Sequence, residues 1–252
     1  MQESNVKTMT FATIVTIVCA VILGATATAL KPQQELNAKV FKLKNIVEVF
    51  GLTAENDQEV EAYFSEEGSK DGKFVVRIIK DIDGNEVEMT ELEMKNLDLY
   101  KQEKADKSLR RYPYFLMFES AEAKAADKPS GIVLPTQDFG LWSVCYGYLS
   151  LDADAETIKG IVYYDQKETP GLGAEIEQKF WKDSFVGKKI VDANGALLAP
   201  KASKDAAIAK DSPNHYISVS GATFTMDGID KGLVNTLKFY NKVIEHYRGG
   251  NK

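Results

Sequence analysis

The first pattern along the chain is an apolar run without charge. The 23 residues between Lys7 and Lys31 carry no acidic or basic side chain. As a helix they rise about 34 Å, enough to cross a hydrocarbon core of about 30 Å. The pattern predicts a transmembrane helix over residues 9–30, after a short tail at residues 1–8. A cleaved signal peptide is the alternative, because Ala25-Thr26-Ala27 and Ala27-Thr28-Ala29 both fit a small-residue cleavage pattern. Signal cores are typically about 7–15 residues, so the length favours a retained span. Beyond Pro32, the apolar positions Leu36, Val40, Leu43, Val47 and Phe50 follow a 4-3-4-3 spacing. That is one face of a helix, and Gly51 suits the position just past its end.

The pattern then becomes mixed. A polar, acidic helix is expected over residues 55–66. Residues 73–80 are β-rich, and Asp83-Gly84 is a hairpin signal. Residues 98–111 read as a charged, solvated connection. Short strands are predicted at 114–118, 131–134, 142–151, 157–164 and 215–219. Residues 175–184 read as a helix and 202–210 as a loop or short helix. Ile229, Leu233, Leu237, Tyr240, Ile244 and Tyr247 make the stripe of a C-terminal amphipathic helix, and residues 249–252 a frayed tail. The predicted class is α+β: a single transmembrane helix, a helical connector at 31–70, and one α+β domain over 71–252.

Composition narrows the function. The chain has 252 residues, 44% hydrophobic and 27% charged, with a net charge of −6. No stretch is rich in Lys and Arg, which argues against a nucleic-acid partner. Two Cys and two His exclude Cys/His zinc sites and cysteine-held iron–sulfur clusters within this chain. Cys19 lies in the apolar run and Cys145 in an alternating apolar tract, so no disulfide framework is expected. His215, His246 and the carboxylates Asp152, Asp154 and Glu156 read as surface or capping groups. No catalytic residue and no metal ligand is assigned. Around the span, Lys31, Lys39, Lys42 and Lys44 outnumber Lys7. Counted literally, that keeps the large domain in the cytoplasm, although long domains translocate largely regardless of loop charge.

Three segments carry candidate chemistry. The first is Gly140-Leu141-Trp142-Ser143, followed by Val-Cys-Tyr-Gly-Tyr148. The second is Glu168-Thr169-Pro-Gly171-Leu172-Gly173. The third is Ser220-Gly221-Ala222-Thr223, with Phe224 and Thr225 behind it. Each has an ordinary alternative: a strand entry with a core Trp, a tight turn, and a helix capped by its hydroxyls. The third segment falls between a strand and a helix. Small residues there let a bulky group approach the backbone, and a helix N-terminus favours a phosphate. Thr223 would hold a hydroxyl beside that anion site, with Thr225 as a nearby helix cap. Gly171 and Gly173 permit close approach of a flat ring, and Leu141, Trp142 and Leu172 offer apolar faces.

Taken in order along nearly the whole chain, with Asp154 and Thr157 between them, these segments resemble the C-subunit family of Na⁺-translocating NADH:quinone oxidoreductases. The wider family of covalent FMN-binding domains includes the G-subunit of the Rnf complex, and the Gly-Leu-Trp-Ser tract favours the sodium-pump family. The resemblance implies FMN joined through its phosphate to Thr223, installed by a FAD:protein FMN transferase. It implies electron transfer toward quinone within a six-subunit complex of the bacterial inner membrane that exports Na⁺, with the large domain on the periplasmic side. It also implies a ring pocket from Leu141, Trp142, Ser143, Thr169, Gly171, Leu172 and Gly173, and an attachment segment from Ser220, Gly221 and Ala222. Six residues before Thr223, Ile217 stands where the family pattern has Asp. The other readings are an Rnf-type ferredoxin:NAD⁺ subunit and an exported, non-redox binding module.

Overall fold

The computed structural model describes residues 2–89 and 98–248, so the tail expected at 249–252 lies outside the described residues. The chain divides into two compact units, Met1–Lys42 and Leu43–Lys252. Helix α1 (Gln2–Val49) makes up the described part of the first unit and enters the second. An 18-residue window of it has mean hydropathy 2.2 and no buried residue. The hydroxyls of Thr10, Thr16, Thr26 and Thr28 return to carbonyls four residues earlier at 2.8–2.9 Å. These polar groups of the run are thus satisfied within the helix, as a bilayer requires. Pro32 lies inside α1, and Gly51 follows its end at φ 76°.

The second unit is α+β. Its elements are α2 (Asp57–Tyr63), β1 (Phe74–Lys80), α3 (Leu99–Lys104), β2 (Tyr112–Phe118), α4 (Ala121–Ala125), β3 (Gly131–Phe139), β4 (Val144–Asp152), β5 (Ile158–Asp165), α5 (Lys179–Asp183), β6 (Lys201–Ser203), α6 (Ala206–Asp211), β7 (His215–Ile217), α7 (Thr223–Phe239) and α8 (Asn241–Arg248). Strands β1 to β5 form an antiparallel sheet in sequence order. Both of its faces are buried, which is why β2 reads Tyr-Pro-Tyr-Phe-Leu-Met-Phe with no charged residue. Tyr114, Leu116, Ile132, Leu134, Leu149 and Tyr163 face the core that α7 and α8 complete through Ile229, Leu233, Leu237 and Ile244. Val75, Phe115, Met117, Val133, Tyr148 and Val162 face a second core. Ile46, Val47, Val49 and Phe50 from the end of α1, with Val60 and Tyr63 of α2, close it.

Helix α7 approaches the sheet at van der Waals limit. A Cβ on Gly228 would stand 1.6 Å from the Phe139 carbonyl oxygen, and one on Gly232 1.7 Å from Asp138 Oδ1. Strands β6 and β7 pair in parallel. Asp230 of α7 accepts from the Tyr216 hydroxyl at 2.7 Å and from the Ala202 N–H at 3.0 Å. These bonds tie both strands to the helix and fix the turn that leads into it.

Several element expectations change. The C-terminal stripe is split at Tyr240, so α7 starts six residues before Ile229 and α8 continues after the break. The Tyr240 hydroxyl donates to the Pro113 carbonyl at 2.7 Å, a tertiary contact that fixes the break. The segment 98–111, expected to be a connection, contains α3 and a 3₁₀ turn at Lys107–Leu109. The helix expected at 175–184 is a 3₁₀ turn, Gly173–Glu177, followed by α5.

Candidate functional site

The site is built on the first turn of α7. Gly221 at φ 76° turns the chain, and Ala222 at φ −106° and ψ 35° is the N-cap. Alanine has no side-chain acceptor, and no side-chain bond caps this helix. The alternative in which the Ser-Gly-Ala-Thr hydroxyls cap the helix is therefore corrected. Thr225 is not a cap either: it sits inside the first turn, buried, and its hydroxyl donates to Glu168 Oε2 at 2.7 Å. Thr223 is the first helical residue and is exposed, as is Ser220. A 17-residue helix thus presents free N–H groups and the positive end of its dipole beside an exposed hydroxyl.

Glu168 joins the three segments. It is buried at 5% exposure. Its Oε2 accepts from the Leu141 N–H at 3.0 Å, and its Oε1 from the N–H groups of Trp142 at 2.9 Å and Ser143 at 3.2 Å. With Thr225, this one carboxylate holds the Gly-Leu-Trp-Ser loop against the helix start. Burial pushes its carboxyl up, but the bonds from Trp142, Thr225, Leu141 and Ser143 outweigh burial and keep it below the ordinary carboxylate value. The glycines around it leave the room. A Cβ on Gly140 would stand 2.4 Å from Glu168 Oε1, and one on Gly173 2.6 Å from Thr225 Oγ1 and 2.8 Å from Glu168 Oε2.

Above this floor lies an open cleft lined by Leu141, Trp142, Thr169, Leu172, Phe224 and the backbone of Gly173, Gly221 and Ala222. Trp142 is 70% and Phe224 71% exposed. The alternative of a core Trp142 is corrected: the ring stands in solvent beside the cleft. The structure thus brings Leu141, Trp142, Thr169, Leu172, Gly173, Gly221 and Ala222 together. It sets Ser143 behind them, with its hydroxyl accepting from the Lys167 N–H at 2.8 Å. Gly171 turns outward at φ 77°, with no heavy atom within 4 Å of a Cβ placed there. Glu168 and Phe224 join the site although the sequence patterns do not single them out, and Thr225 moves from cap to floor. The one signal for Glu168 is its place at the head of the second motif.

Between β3 and α7, Asp138 is fully buried. It accepts from the Thr136 hydroxyl at 2.9 Å and from the Tyr163 hydroxyl, and Thr136 also bonds Thr236 of α7 at 3.0 Å. Burial pushes its carboxyl up to about 7, against the pull of the Tyr163 and Thr136 bonds. Cys145 is buried, and burial followed by the charges of Glu168 and Asp138 pushes its thiol up to about 12. The two histidines and Asp154 have structural partners. His215 Nδ1 bonds Ser212 at 2.8 Å, His246 packs edge-on to Tyr247, and Asp154 ties the turn at Glu156 and Thr157 to Lys189. Among the described residues, no cluster of three or more His, Cys, Asp or Glu could hold a metal.

The chain is similar to known proteins. The model of the FMN-binding domain family matches residues 140–238, which span all three segments. The chain is 32% identical to the C-subunit of the Na(+)-translocating NADH-quinone reductase of Haemophilus ducreyi, over 95% of this chain and 90% of that protein. It is 33% identical to the protein of the same name from Vibrio campbellii, over 90% and 88%. Among solved structures it resembles the C-subunit of the same reductase from Parabacteroides distasonis, with TM-score 0.64 and 25% identity, covering 85% of this chain and 96% of that one.

Proposed function

Because the chain belongs to the C-subunit family of Na⁺-translocating NADH-quinone reductases, we propose that it carries FMN covalently, through a phosphoester to Thr223, and passes electrons toward quinone while its complex exports Na⁺. The observation that carries the attachment is the start of α7. An exposed Thr223 hydroxyl stands on a helix N-terminus whose N-cap, Ala222, offers no competing acceptor. A phosphate placed there meets unpaired N–H groups and a favourable dipole.

The residues fit the rest of the group. The apolar faces of Leu141, Trp142, Leu172 and Phe224 suit a flat aromatic ring. Gly173 and Gly221 keep the cleft open: a Cβ on Gly221 would stand 2.8 Å from Leu172 Cδ2. When bound, the flavin supplies the electron chemistry; the chain binds, orients and shields it. Attachment by a FAD:protein FMN transferase forms the bond from Thr223 Oγ to phosphorus as the pyrophosphate bond of FAD breaks. AMP leaves, and the hydroxyl proton is released. The apolar stretch of α1 supports a single-pass membrane anchor. On this reading the second unit lies on the periplasmic side of the inner membrane, among the other members of a six-subunit complex.

Thr223→Val tests the reading, because it keeps the side-chain shape and removes only the hydroxyl. The full chain from its native membrane is expected to lose its FMN mass and the fluorescence that survives denaturing electrophoresis. Thr223→Ser is expected to retain part of the label. A Thr223→Val chain that still carries the FMN mass moves the attachment to Ser220 or Thr225 and overturns the assignment.

A further inference from the structure

We propose that Glu168 is the positioning residue of the cleft: its carboxylate clamps the loop at 141–143 to the first turn of α7 and places an unbalanced negative charge under the bound ring, holding the ring's reduction potential down. The inference rests on the reading that FMN occupies this cleft. Four donors converge on the carboxylate: three backbone N–H groups and the Thr225 hydroxyl. All four are neutral. Among the described residues, neither a lysine nor an arginine forms an ion pair with Glu168, so its charge is solvated by dipoles and not cancelled. Such a buried charge is weakly screened in a low-dielectric site. Glu168 also lines the cleft, together with Leu141, Trp142, Thr169 and Leu172.

The clamp and the charge are separable. Adding electrons to a group beside a fixed negative charge is disfavoured, so neutralising the charge raises the potential. Removing one of the donors leaves the charge in place and less well solvated, so the potential falls. A purely structural role would loosen the cleft in both cases and move the potential in one common direction.

The test is spectroelectrochemistry of the full-length, flavin-loaded chain in detergent, compared with Glu168→Gln and Thr225→Val. Flavin content is read in parallel by intact mass. Glu168→Gln is expected to shift the midpoint potential positive, and Thr225→Val to shift it negative. Shifts of the same sign, or an unmoved potential in Glu168→Gln, overturn the inference. Should Glu168→Gln fail to fold, Thr225→Val is compared with Thr225→Ser, which restores the hydroxyl donor to Glu168: a negative shift in Thr225→Val that Thr225→Ser reverses supports the inference, and any other outcome overturns it. A wild-type chain without FMN overturns the functional reading, and this inference with it. Bound FMN with an insensitive potential overturns this inference alone.

Discussion

At the residue scale, Asp138 couples the packing of α7 on the sheet to pH. Its carboxyl, buried among Thr136, Tyr163 and Thr236, is pushed up to about 7, whereas an unperturbed Asp titrates at 3.8. Between those values the folded chain holds a proton that the unfolded chain has lost. Stability from this group is therefore fully present below about pH 4. It falls as pH rises toward 7, by at most about 1.4 kcal/mol per pH unit, and levels above that. Asp138→Asn keeps one acceptor for Tyr163 and removes the titration. Urea unfolding of wild type between pH 4 and 8 is expected to show declining stability in that window, and the variant a flatter curve. Sequence does not reveal either carboxylate's role. Asp138 falls between two predicted strands, and Glu168 reads as the ordinary head of a turn motif. The partners of Glu168 lie 25–27 residues before it and 57 after it, beyond any local pattern. The turn that leads into α7 is legible because it is local, a run of small residues before a helix, whereas the choice of Thr223 within it rests on the family resemblance.

At the element scale, two contacts position α7 and α6. Gly232 lets α7 settle onto Asp138, where a Cβ would stand 1.7 Å from Oδ1. The neighbour is a buried carboxylate on a central strand, so it has little room to give. Gly232→Ala is expected to destabilise the domain by about 3 kcal/mol or more, the upper range for overpacking, and to lower the thermal midpoint. Lys188 is buried, and its Nζ donates to the carbonyls of Ala209, Lys210 and Ser212 at 2.5, 3.0 and 2.7 Å, closing the end of α6. Lys188→Met leaves those acceptors without that donor. Its expected cost is roughly 1–3 kcal/mol, read by chemical denaturation. The strands are largely legible because two-sided burial leaves β-rich apolar runs. The boundary of β3 is not. The pattern stops at residue 134, and the strand continues through Pro135 to Phe139. Pairing with β2 covers only Gly131–Val133, so Pro135 lies where that side of β3 has no neighbour among the paired strands. A missing N–H is tolerated at such an edge.

At the scale of the whole molecule, the second core depends on residues just past the apolar run. Ile46, Val47, Val49 and Phe50 cover Val75, Phe115, Met117, Val133, Tyr148 and Val162 of the sheet. The helix stripe through Val47 and Phe50 marks this segment in the sequence as a buried face. It gives no sign of what the segment covers, because the partner strands lie at least 24 residues further on. Burying each of the four side chains contributes about 1.5–3 kcal/mol. Together that is comparable to the whole net stability of a domain, about 5–15 kcal/mol. Two truncations follow from this arrangement. A chain starting at Pro32 lacks the apolar run but keeps the end of α1, and it is expected to be soluble and to unfold cooperatively. A chain starting at Gly51 removes all four side chains and uncovers one face of the sheet, so it is expected to aggregate or to bind a hydrophobic dye. Calorimetry and dye fluorescence on the two chains decide. A cooperative, dye-free transition in the chain starting at Gly51 would show that the sheet does not need this cover.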